Sequence, residues 1–92
     1  DNNKTIALAK AFLSMRDGGE MKAFLRDLLT ESEIVEFSNR FYAARAIAGS
    51  THYAAIEEAT GLSSRTIARV KKWDKHGTGG YRLAIKRWKH QT

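Results

Sequence analysis

Arg65 and Arg69 stand one helical turn apart in the segment TGLSSRTIARVKKWDK, with Ser63, Ser64 and Thr66 around the first and Lys71, Lys72 and Lys75 behind the second. These side chains donate hydrogen bonds and carry positive charge, and no nucleophile among them is set beside a base and an orienting group. Their chemistry is the recognition of an anion that also displays hydrogen-bond acceptors, and DNA is such a ligand. Arginine can donate twice to guanine O6 and N7, worth roughly 1–3 kcal/mol of discrimination, which makes Arg65 the leading candidate for reading a base. Ser63, Ser64 and Thr66 can donate to phosphates or base edges, and Ser63 also suits a helix N-cap. Arg69 reads as a DNA-facing or structural cation. Lys71, Lys72 and Lys75 are expected on phosphates, which position a protein without reading sequence. Thr51, His52 and Tyr53, at the start of the preceding helix, are expected to add phosphate contacts through side chains and free backbone N–H groups.

Such residues need a rigid support, and Tyr53 to Lys72 provides one. The stretch YAAIEEATGLSSRTIARVKK predicts a short helix, a tight turn at Gly61, and a second helix from Ser63 or Ser64. Ile56, Leu62, Ile67 and Val70 fall where the two helices of a helix-turn-helix must touch. Gly61 falls where the turn asks for positive φ, which glycine adopts without steric cost. A polar, cationic helix on a compact apolar base is what the major groove accepts. Glu57 departs from the general pattern, which wants a small residue where the helices approach.

Charge distribution points the same way. Up to Ala48, Lys4, Lys10, Arg16, Lys22, Arg26, Arg40 and Arg45 are matched one for one by acids, so the whole net charge of +6 lies from Gly49 onward. There only Glu57, Glu58 and Asp74 oppose the cations, an asymmetry that implies a polyanionic partner. At 42% hydrophobic and 28% charged, 92 residues suit one globular domain or one subunit of an intertwined oligomer. The absence of cysteine excludes a disulfide framework and a thiolate metal site, and fits a reducing cytosol. The apolar runs are too short to span a bilayer and no secretory pattern opens the chain, so no membrane role and a cytoplasmic location are expected. The chain opens on Asp1, so its start is expected to have been trimmed or processed.

The remaining segments are helical. There is no proline, the seven glycines are expected between helices rather than inside them, and no stretch alternates with the period of a strand. Lys4 to Met15 is amphipathic, Asp17-Gly18-Gly19 should stop it, and Glu20 to Leu28 forms a short second helix. Thr30 and Glu33 make a capping box with Leu29 and Ile34 as its hydrophobic staple, opening a long helix to Ala48. Its stripe of Ile34, Phe37, Phe41, Ala44 and Ala48, widened by Val35, Tyr42 and Ala46, is broader than one small neighbour covers. Either a second subunit or the first two helices must cover it. Thr51 or His52 opens the helix-turn-helix, HGTGGY is a turn, and Tyr81 to His90 is a last helix bearing Tyr81, Ile85 and Trp88 on one side.

Other chemistries find little support. GTGG lacks the Lys-Ser/Thr ending of a P-loop and follows a helix rather than a strand. His52, His76 and His90 are far apart and lack partners at metal spacing, so they read as surface residues and no metal or other cofactor is expected. Trp73 and Trp88 read as packing or interface residues rather than base-stacking platforms. Nothing here resembles a catalytic constellation, and an enzyme is not expected.

LLTESEI, NRFYAARAIAGS, IEEATGLSSRTIARVKK and GTGGY together resemble the trp repressor superfamily, most closely its YerC/YecD-like branch with an ATGxSxxTIxRVK recognition segment. LAKAFLSMRDGGEMKAFLRDLLT also looks like that branch, so the likeness runs from about Leu8 to about Arg87. The resemblance implies an all-helical subunit interlocked with a second copy, and a transcription regulator on a palindromic operator. Family members of the repressor type bind tryptophan as corepressor. By position, the threonine at the start of their long helix matches Thr30, and their two ligand-contacting arginines match Arg40 and Arg69. Their glycine after the second arginine is Val70 here, whose methyl groups would fill the space of the indole, so tryptophan binding is not expected.

The resulting expectation is an all-α, trp-repressor-like intertwined homodimer of about six helices per chain. Residues 1–92 form one domain: 1–48 for the core and dimerisation, 51–76 for the helix-turn-helix, 77–92 for the last helix. Its partner is double-stranded DNA and its role transcriptional regulation, more specifically repression. The alternatives are a helix-turn-helix used for protein or RNA contact, and a regulator gated by a small molecule.

Overall fold

The structure, a computed structural model, describes residues 2–91, with side chains through residue 89. These residues form six α-helices and no strand: α1 (Asn2–Ser14), α2 (Gly18–Leu28), α3 (Glu31–Ala48), α4 (Tyr53–Thr60), α5 (Ser64–His76) and α6 (Gly80–Gln91). The chain divides into two compact units, Asp1–Ile34 and Val35–Thr92.

The first unit holds α1, α2 and the first turn of α3. Phe12 of α1 meets Phe24 of α2 edge to face, with ring centroids 5.3 Å apart. No residue of α1 or α2 is buried, and Leu13 is 85% exposed. Like Gly80, the first residue of α6, Gly18 and Gly19 do not lie between helices as their type suggested, because they form the first turn of α2. Local hydrogen bonds explain this. The Asp17 carboxylate accepts from the Glu20 N–H at 2.9 Å, and the Glu20 carboxylate accepts from the Arg16 N–H at 2.8 Å. One N-terminal donor of α2 and the Arg16 N–H just ahead of its cap are thereby satisfied, which offsets the entropy of the glycines. The Thr30 capping box forms as expected. The Thr30 hydroxyl accepts from the Glu33 N–H at 3.1 Å, and the Glu33 carboxylate accepts from the Thr30 N–H at 2.9 Å.

The second unit contains the buried core: Ala43 and Ala44 from α3, Ile56 from α4, Ile67 and Val70 from α5, and Ile85 from α6. Phe41, Ala46, Ile47, Tyr53, Leu62 and Tyr81 pack partly buried around it. The two alanines place only methyl groups in the core, so the larger isoleucines can close over α3. The wide face of α3 is not fully covered in the single chain: Val35 is 60% exposed, and Phe37 and Tyr42 are exposed too.

Two devices attach α6. The Arg45 guanidinium lies 4.4 Å over the Trp88 ring and also near Phe41 and Tyr42, while Trp88 itself remains 41% exposed. Arg82 Nε stands 4.0 Å from Asp74 Oδ1 on α5. Between them the HGTGGY segment turns the chain. Gly79 has φ +91°, and Gly77 donates its N–H to the Trp73 carbonyl at 2.8 Å. The φ of Gly77 is ordinary, but a Cβ there would stand 2.4 Å from the Trp73 carbonyl oxygen and 2.9 Å from its ring. Gly77→Ala is therefore expected to cost roughly 1–2 kcal/mol by overpacking, read as a lowered midpoint of thermal unfolding. An unchanged midpoint would show that the turn yields freely.

Candidate nucleic-acid interface

The helix-turn-helix is built from local rules. Gly61 takes the left-handed conformation, φ 74° and ψ 2°, and returns its N–H to the Glu57 carbonyl at 2.8 Å, closing α4. Thr60 adds a pin absent from the expected set. Its hydroxyl donates to the Ile56 carbonyl at 2.7 Å and accepts from the Leu62 N–H at 3.1 Å. A threonine directly before a helix-ending glycine is the signal that could have found it. Glu57 is exposed, so its length is not buried between the two helices. Ile56 and Ile67 are fully buried and Val70 is 4% exposed, while Leu62 is half-buried.

Ser63 caps α5: its hydroxyl accepts from the Thr66 N–H at 3.1 Å. The Ser63 and Thr66 hydroxyls also bond to each other at 3.1 Å. That exchange fixes the start of the helix and leaves Ser64 and Arg65 exposed beside its free N–H groups. Arg69, Lys72 and Lys75 are exposed on the same helix, as are Thr51 and His52 before α4. Three expected contacts sit differently. Thr66 and Tyr53 are half-buried, and half-buried Lys71 places Nζ 5.8 Å over the Tyr53 ring, bridging α5 to α4. His52 is the N-cap residue of α4 without a capping side-chain bond.

Two residues outside the expected set join this surface. Ala68 is exposed, and Trp73 is 57% exposed rather than packed inside the chain. With Arg65, Arg69 and Lys72 they line a concavity of about 340 Å³ on α5. Helical spacing alone could have placed them there, since Ala68 is three residues from Arg65 and Trp73 four from Arg69.

The residues matched to a corepressor site are engaged elsewhere or open. The Thr30 hydroxyl caps α3. Arg40 pairs with Glu36 and lies 5.5 Å over the Phe37 ring. Arg69 is exposed. Among the described residues no group of histidines and acids could hold a metal ion. His52 and His76 are exposed, and the side chain of His90 lies outside the described residues. Among the described residues no helix is long and apolar enough to cross a membrane.

A family model described as Trp repressor protein matches residues 4–89. The chain is 37% identical over 82 residues to the uncharacterized protein YerC of Bacillus subtilis (strain 168), covering 89% of this chain and 79% of that one. It is similar to the crystal structure of a TrpR-like protein from Eubacterium eligens, with a TM-score of 0.89 and 34% identity over 94% of this chain and 89% of that one. A Staphylococcus aureus crystal structure matches with a TM-score of 0.88 and 32% identity, covering 95% of this chain and 87% of that one.

Proposed function

The chain belongs to the Trp repressor family, a family of regulators, and from that premise we propose that it is a cytoplasmic transcriptional repressor that binds double-stranded DNA sequence-specifically as a homodimer. One observation carries the reading: a Ser63-capped helix presents Ser64, Arg65, Arg69, Lys72 and Lys75 to solvent while its other face is locked on Ile56. Two such helices, one per subunit, would enter successive major grooves, with half-sites about 34 Å apart. The exposed apolar side chains Leu13, Val35, Phe37 and Tyr42 support a second copy as their cover. In this reading the two units of the chain act as one domain, the first serving dimerisation.

Tryptophan is not a ligand in this reading. Val70 is packed into the core with Ile67, the Thr30 hydroxyl is spent on a helix cap, and Arg40 is paired with Glu36. Calorimetry is expected to give no saturable heat with tryptophan, and a clear saturable heat would refute this part.

The test of the whole is fluorescence anisotropy against randomised and palindrome-enriched duplex pools over a salt series. Affinity should fall with salt at a slope of roughly −0.9 per phosphate neutralised, and a selected duplex should resist that fall better than random DNA. Salt-insensitive binding, preference for a folded RNA, or no binding to either pool would overturn it.

A further inference from the structure

Trp73 is a large apolar side chain exposed in the most cationic part of the molecule, and neither the core nor the DNA-reading set uses it. It lines the α5 concavity with Ala68, Arg65, Arg69 and Lys72, and the accessible lining is mostly apolar although three of the five residues carry positive charge at their ends. An apolar lining among positive charges needs a ligand that is apolar at its centre and anionic around it. A second copy of the same basic face would meet it with like charge, whereas duplex DNA meets those charges with phosphates. Within the major groove one base-pair edge presents an apolar group, the 5-methyl of thymine, and alanine and aromatic side chains are the partners that suit it.

We propose that Ala68 and Trp73 form a subsite for a thymine 5-methyl group, beside the base pair that Arg65 reads. The proposal rests on the DNA-binding reading and adds to it a specificity determinant at a second position. Ala68 is the floor: it lies one turn beyond Arg65 on the face that enters the groove, and its single methyl leaves room for another. Trp73 is the wall, one turn beyond Arg69, and shields the methyl from water. Arg69 and Lys72 hold the flanking phosphates and so set the depth at which the methyl arrives. The preferred half-site then contains a guanine and a thymine within a few base pairs of one another.

The test removes the methyl and nothing else. Using the full chain and its selected palindromic duplex, each thymine of the half-site is replaced in turn by deoxyuridine and binding is measured by competition. One position per half-site is expected to lose affinity roughly fourfold, the effect of a single buried methyl-sized group. Trp73→Ala should abolish that difference between thymine and deoxyuridine, Trp73→Phe should keep most of it, and Ala68→Ser should reduce it. Circular dichroism on each variant separates these outcomes from misfolding. A duplex that binds with no sensitivity to any deoxyuridine overturns the subsite alone. So does a sensitivity that survives both Ala68→Ser and Trp73→Ala, or a Trp73→Ala chain whose only change is weaker self-association. Failure to bind every duplex overturns the regulator reading and the subsite with it.

Discussion

Ile67→Ala is expected to lower stability by roughly 2–5 kcal/mol. Ile67 is fully buried in a core that among the described residues holds six buried side chains, two of them alanines. The substitution removes three carbons, worth about 0.8 kcal/mol each, and leaves a cavity that Ile56, Val70 and Ile85 cannot close without moving their helices. Small domains hold about 5–15 kcal/mol in total, so the loss approaches the whole margin of the chain. Urea unfolding followed by circular dichroism at fixed protein concentration would show it as a lower midpoint at unchanged slope. DNA affinity would fall with it, because the support of α5 is what melts. Leu13→Ala is the companion variant: 85% exposed within one chain and covered by the second copy in the proposed dimer, it should lower the midpoint by an amount that grows on dilution. An unchanged midpoint at every concentration would place Leu13 outside the dimer interface. A loss below about 1 kcal/mol at Ile67 would mean that the small core is not what holds the helix-turn-helix.

The parts of this fold that were legible from residue order are those made by contacts a few residues apart. The Thr30–Glu33 box, the Ser63 cap and the left-handed Gly61 close rings of three or four residues, so their signals lie in adjacent letters. The apolar spacing of Ile56, Ile67 and Val70 was legible because two short helices joined by one turn leave few ways to pack. Gly18 and Gly19 misled because glycine is read as punctuation, while the bonds of Asp17 and Glu20 outweigh its cost in a first turn. Tyr53 and Lys71 were read as cations and donors for DNA, but they lie on facing helices and meet each other. Trp73 was read as a packing or interface residue, and its 57% exposure leaves the second of these. Spacing says which residues share a face and is silent on whether anything covers it. Leu13, Val35 and Phe37 show the same silence from the other side, since a broad apolar stripe does not say whose residues lie across it.

Arg65→Ala is the prediction that bears most directly on function. Arg65 is exposed on the first turn of α5, two residues beyond the Ser63 cap, where a helix entering the major groove presents its base-reading side chains. A bidentate contact to guanine is worth roughly 1–3 kcal/mol against the wrong base, so its removal should cost about 5- to 150-fold on the best duplex. The cost should fall unevenly. Duplexes already mutated at the guanine should lose little, and the preference at that one base pair per half-site should flatten. Arg65→Lys should behave as a partial loss, because a lysine cannot reproduce the planar fork. Arg69→Ala and Lys72→Ala should behave differently, weakening all duplexes alike and reducing the salt slope by about one phosphate each. The two patterns separate reading from positioning on a single helix. Competition binding over a panel of single base-pair variants, repeated at two salt concentrations, measures both. Equal losses on every duplex would remove Arg65 from the reading role and make it one more phosphate contact. The specificity would then have to come from Ala68 and Trp73 and from the deformability of the DNA itself.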